Sequence, residues 1–74
     1  MIEKKILEVL VLELKLNPNI NTESLKYNET PGWDSLAHMR IIAALEEAFD
    51  CIMETEDILD LSSFSKAVEI MRKY

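Results

Sequence analysis

Ile2, Ile6, Val9, Leu10 and Leu14 recur at helical spacing, while Lys4, Glu8 and Lys15 gather on the opposite side. At about 100° per residue this is the signature of an amphipathic helix over residues 2–16. Within it, Leu12-Glu13-Leu14-Lys15-Leu16 alternates like a strand. The longer window decides for a helix, and Leu, Glu and Lys are strong helix formers. Asn17-Pro18 is expected to end it, because a residue before proline resists the helical conformation.

Residues 17–34 are rich in Asn, Thr and Pro and read as a long connection. Asn21-Thr22-Glu23-Ser24-Leu25 suits a single helical turn, with Ile20, Leu25 and Tyr27 pinning the loop to the core. Loops this long in small domains usually serve a function. Asp34 then reads as the N-cap of a second helix, Ser35 to about Asp50. Ile41, Ile42, Leu45, Ala48 and Phe49 form a stripe that must face the core. Leu36, Met39 and Ala43 fall on another side, interleaved with Arg40, Glu46, Glu47 and Asp50. A second apolar strip within a charged surface is what a partner-docking face requires.

Asp50-Cys51-Ile52-Met53 reads as an irregular return, after which Thr55 caps a short acidic helix, Glu56–Asp60, carrying Ile58 and Leu59. Ser62 or Ser63 caps the last helix, Phe64 to about Arg72, with Phe64, Ala67, Val68 and Met71 facing inward. The basic Arg72-Lys73 ending suits the negative pole of that helix. The expected architecture is all-α, a small four-helix bundle of three main helices plus one short helix, with residues 1–74 as a single domain.

Charge changes this picture more than composition does. The net charge is −6, yet the stretch from Asp34 to Asp60 carries −7 and the remainder +1. Such a surface repels nucleic-acid phosphates and attracts basic protein partners. No apolar run approaches the roughly 20 residues that a spanning helix needs, and no signal-peptide pattern is expected at the start. A single cysteine, Cys51, permits no internal disulfide, which fits a reducing cytoplasm. At 74 residues the core is modest and a deep enzymatic cleft is not expected.

Candidate chemistry gathers at Gly32-Trp33-Asp34-Ser35-Leu36, where the only glycine precedes an Asp and a Ser at a helix mouth. Asp34, Ser35 and His38 invite a catalytic-triad reading, but Asp34 adjoins the serine and is badly placed to orient His38. His38 is expected on the surface. Trp33 should pack against the loop and find a partner for its indole N–H. The acids between Asp50 and Asp60 lack the glycine and ligand spacing of a calcium loop, so no dedicated metal site is expected.

Together with Ala44-Leu45-Glu46-Glu47-Ala48-Phe49, the Gly32–Leu36 motif closely resembles the acyl carrier proteins. That family places Asp-Ser-Leu at the start of its second helix, and the order of the remaining elements matches across the chain. The resemblance implies a non-enzymatic carrier bearing covalent 4′-phosphopantetheine on Ser35 and shuttling acyl thioesters. It implies Asp34 as a transient metal contact during modification and Leu36 as part of the motif. The implied partners are a phosphopantetheinyl transferase and acyl-loading and acyl-processing enzymes with basic patches. These would meet Leu36, Met39, Arg40, Ala43, Glu46, Glu47, Asp50, Glu56 and Asp57 on a monomer. Arg40 stands where fatty-acid carriers of this type place an acid, and Gly32-Trp33 is similar to carriers of specialised pathways. Polyketide, aminoacyl or surface-polysaccharide systems are therefore candidate clients. The alternatives are an aminoacyl or peptidyl carrier of the same fold, or an unmodified helical adaptor.

Overall fold

The computed structural model describes all 74 residues, in four α-helices and no strand: α1 Ile2–Leu14, α2 Ser35–Phe49, α3 Thr55–Asp60 and α4 Phe64–Met71. A 3-10 turn, Thr22–Ser24, interrupts the long α1–α2 connection and is capped by the Asn21 side chain. This is the helical bundle that the periodicity predicts.

Helix α1 buries Ile6, Leu10 and Leu14, with Ile2 and Val9 half-buried beside them. Its end differs from expectation. The helix stops at Leu14, where Lys15 turns left-handed (φ 55°) and the Leu16 N–H reaches back to the Val11 carbonyl at 3.0 Å. That bond pattern satisfies the last carbonyls before the proline can act. Asp50 ends α2 in the same way, with φ 51° and a Cys51 N–H bond to the Glu46 carbonyl at 3.0 Å.

Helix α2 buries Ile41, Ile42 and Leu45 as expected, and also Ala37. Ala48 and Phe49 are half-buried at its end. Helix α3 begins one residue earlier than predicted: Thr55 is its first helical residue and Glu54 occupies the cap position. Ser63 caps α4 by accepting the Lys66 N–H at 3.0 Å, and Ile70 joins Ala67 and Met71 on the buried side. Phe64 and Val68 are half-buried.

These faces meet in one core of 14 buried apolar residues. The long connection closes over it through Leu25, which is fully buried, while Ile20 and Tyr27 are half-buried. Paired bonds lock the loop to the start of α4: the Tyr27 N–H donates to Ser62 and the Phe64 N–H to Leu25. Arg72 at the end of α4 pairs with Glu3 at 3.2 Å, joining the first and last turns of the chain.

Candidate functional site

The loop that delivers Ser35 is organised by Thr30, a buried residue that the sequence pattern does not single out. Its hydroxyl accepts the Lys26 N–H at 2.9 Å and donates to the Ser24 carbonyl at 3.3 Å. The Asn28 N–H bonds the Trp33 carbonyl at 2.8 Å, and the Trp33 N–H bonds the Thr30 carbonyl at 3.0 Å. Asn28 (φ 65°) and Gly32 (φ 86°) both sit in the left-handed region that makes this tight return possible. The signal for it was Thr30-Pro31-Gly32, a turn sequence just ahead of a cap.

The turn drives Trp33 inward, where it is the largest of the fully buried side chains. Its indole N–H donates to His38 Nδ1 at 3.0 Å, one helical turn into α2. An indole only donates, so Nδ1 accepts and the imidazole proton lies on Nε2. That proton is donated to the Ile58 carbonyl of α3 at 2.8 Å. The expected surface position of His38 is therefore corrected: it is half-buried, stacked near Trp33 and edge-on to Tyr27. With both ring nitrogens engaged, His38 has none left to serve Ser35 as a base, and the triad reading loses its central member.

Asp34 caps α2 as predicted, its carboxylate accepting the Ala37 N–H at 2.9 Å. Ser35 follows as the first helical residue, exposed, with its neighbour rather than itself performing the cap. A hydroxyl here lies at the positive pole of a 15-residue helix, where backbone donors favour an attached phosphate. The residues present thus suit a phosphodiester on Ser35 in both exposure and electrostatics.

Around it, Leu36 and Met39 are 75% and 55% exposed, which is unusual for large apolar side chains. Arg40, Ala43, Glu47, Asp50 and Glu56 are also exposed. Glu46 is turned toward the bundle, its carboxylate accepting the Met53 N–H at 2.9 Å and fixing the return after α2. Asp57 leaves the expected docking set altogether. It is buried, held by Lys73 Nζ at 2.7 Å and by a hydrogen bond from the Tyr74 hydroxyl. These two bonds hold its carboxyl below the ordinary range, and the carboxylate in turn raises Lys73 and Tyr74. The Tyr74 oxygen also accepts the Glu54 N–H at 3.0 Å, satisfying the backbone donor at the cap position of α3, where no side chain caps the first turn.

Cys51 is half-buried, and burial followed by the neighbouring Glu46 and Asp50 pushes its thiol above the ordinary value. No group of three or more His, Cys, Asp or Glu side chains is arranged to hold a metal ion. No helix is long and apolar enough to cross a membrane.

Comparison with known proteins finds one family whose model matches residues 4–70, described as "Phosphopantetheine attachment site". The match runs from the third residue of α1 to the penultimate residue of α4 and so includes the capped entry into α2.

Proposed function

The chain belongs to the phosphopantetheine attachment site family, a family of carriers rather than catalysts that bear covalent 4′-phosphopantetheine, and from that premise we propose that Ser35 is its attachment residue. The observation that carries this reading is the exposed Ser35 at the first position of α2, beside a cap supplied by Asp34. In the loading step the Ser35 oxygen forms a bond to the pantetheine-bearing phosphorus of coenzyme A, and the pyrophosphate link breaks to release adenosine 3′,5′-bisphosphate. The hydroxyl proton passes to a base of the transferase. Asp34 caps the helix through one carboxylate oxygen, and the oxygen left free by the cap would be able to contact a metal ion held by the transferase. Once attached, the arm supplies a thiol that holds cargo as a thioester.

The exposed strip Leu36, Met39 and Ala43, rimmed by Arg40, Glu47, Asp50 and Glu56, is the face offered to the transferase and to cargo-processing enzymes. Its apolar part excludes water and its charges set encounter rate and register. Arg40 is the one base between Asp34 and Asp60, and it favours a specialised acyl pathway over a housekeeping fatty-acid one. An aminoacyl or peptidyl cargo uses the same site and remains the second reading. All four helices pack on one core, which supports a single carrier domain over residues 1–74; the working unit we propose is the monomer. A lone, half-buried cysteine fits a reducing cytoplasm.

The test is incubation with coenzyme A and a broad-specificity phosphopantetheinyl transferase. Intact mass should rise by one arm in the wild type and stay unchanged in Ser35→Ala. An unmodified wild type under several transferases would return the chain to the adaptor reading.

A further inference from the structure

Beyond the strip around Leu36, the surface continues as a groove between α1 and α2. The groove is shallow and open, with a volume of about 550 Å³, and its apolar lining is Val9, Leu12, Ala43, Ala44 and Ala48. Leu12 is 74% exposed, although it lies on a helix whose other leucines are buried or half-buried. Three alanines on the α2 side leave room for a large side chain to enter from outside.

The rim is charged in an alternating order. Glu13 of α1 lies 3.7 Å from Arg40 of α2, and Glu47 follows Arg40 two turns along the same helix. Seven residues at about 1.5 Å each separate Arg40 and Glu47 by about 10 Å. The Glu13–Arg40 pair is partly exposed, at 24% and 58% of the two side chains, and too long for a good hydrogen bond. Such a pair holds Arg40 weakly and leaves most of the guanidinium donors free for a second carboxylate.

We propose that the docking surface extends onto α1, and that its partner is an amphipathic helix of defined chemistry. That helix inserts an aliphatic side chain beside Leu12 and presents one carboxylate to Arg40, flanked by cations facing Glu13 and Glu47. This rests on the docking role of α2 given above and deepens it: a uniformly basic partner places like charge against Arg40, so the mixed pattern rejects it.

Two synthetic helical peptides test this, identical in apolar face and differing only in whether the residue opposite Arg40 is Glu or Lys. Each is titrated into the isotope-labelled full chain, with amide shifts followed by NMR. The Glu peptide should bind roughly 2- to 5-fold more tightly, within the range of exposed ion pairs. It should perturb Leu12, Ala43, Ala44 and Ala48. Arg40→Glu should invert the preference, and Leu12→Ser should weaken both peptides while leaving the dispersed spectrum of the fold intact. Equal affinities, tighter binding of the Lys peptide, or shifts confined to α3 would overturn the proposal. So would concentration-dependent shifts of the same amides without peptide, which assign the groove to a second copy. Loading of Ser35 by transferase is scored separately by mass, so loss of the groove and loss of the carrier reading are distinguishable.

Discussion

Trp33 and His38 form a hydrogen bond at 3.0 Å that joins the loop before Ser35 to the helix after it. Because His38 passes its own proton to Ile58, this contact also reaches α3. Three elements are fixed by one imidazole. Removing it in His38→Ala leaves a buried indole N–H and the Ile58 carbonyl without their partners, at a cost of roughly 1–3 kcal/mol. Trp33→Ala also opens a cavity and should cost about 3–5 kcal/mol. Urea unfolding of both variants checks the order; equal and negligible losses would show that the bridge contributes nothing.

Asp34 has one observed duty, the cap on α2, and one proposed duty, a contact to the transferase's metal ion, and the two are separable. Asp34→Ala removes the cap and should lower stability by about 1 kcal/mol, whereas Asp34→Asn keeps a side-chain acceptor and should cost little. Loading of Ser35 distinguishes the second duty. A time course by mass spectrometry should show both variants modified slowly if the carboxylate contacts the transferase's metal, and only the Ala variant slowed if capping is all that matters.

The Asp57–Lys73–Tyr74 cluster makes stability depend on pH at both ends. Asp57 is depressed below its ordinary 3.8 by bonds from Lys73 and Tyr74. Its contribution is therefore complete above that ordinary value and is lost as pH falls through the lower folded one. Lys73 and Tyr74 are both raised, mainly by hydrogen bonds to Asp57, from 10.5 and 10.0. Their contributions are complete below those values and fade as pH rises through the folded ones. Asp57→Asn should flatten the acid limb, and Tyr74→Phe the alkaline limb, in thermal melts run across pH. Unaltered profiles would remove the cluster from the account.

The left-handed helix ends give a prediction of opposite sign. Lys15 adopts φ 55° with a side chain that gains nothing there, so Lys15→Gly should stabilise the chain by about 1 kcal/mol. Asp50, at φ 51°, belongs to a residue type that tolerates this region better, and its replacement by Gly should gain less. Gly32→Ala runs the other way. No atom lies within 4 Å of the added Cβ, so the loss of about 1 kcal/mol comes from φ +86° alone. Melting temperatures of the three variants, measured side by side, test the ranking.

What the sequence made legible follows the range of each interaction. The core stripes of α1, α2 and α4 were visible because helical periodicity is local, and Asp34 because a cap needs only its next three residues. The end of α1 was misjudged because Pro18 announces itself, whereas a left-handed Lys15 leaves no mark in composition. Thr55 looks like a cap because threonine is a good one, yet the helix starts at Thr55 and the N–H of Glu54 before it is satisfied by Tyr74, twenty residues on. Asp57 looked like one more surface acid because its partners lie sixteen and seventeen residues away. His38 was misplaced for the same reason: Ile58 comes near only once the chain has folded.

The capped entry into α2 has a mechanical consequence for the arm proposed on Ser35. Trp33 is clamped on one side and a helix begins on the other, so residue 35 is a stationary hinge pin rather than a point on a swaying loop. All wandering of a tethered group then belongs to the tether. An enzyme seated on α2, as proposed, would meet that group as though it were dissolved nearby at about millimolar concentration. The bundle fixes the origin of that small volume, and the length of the tether alone fixes its radius.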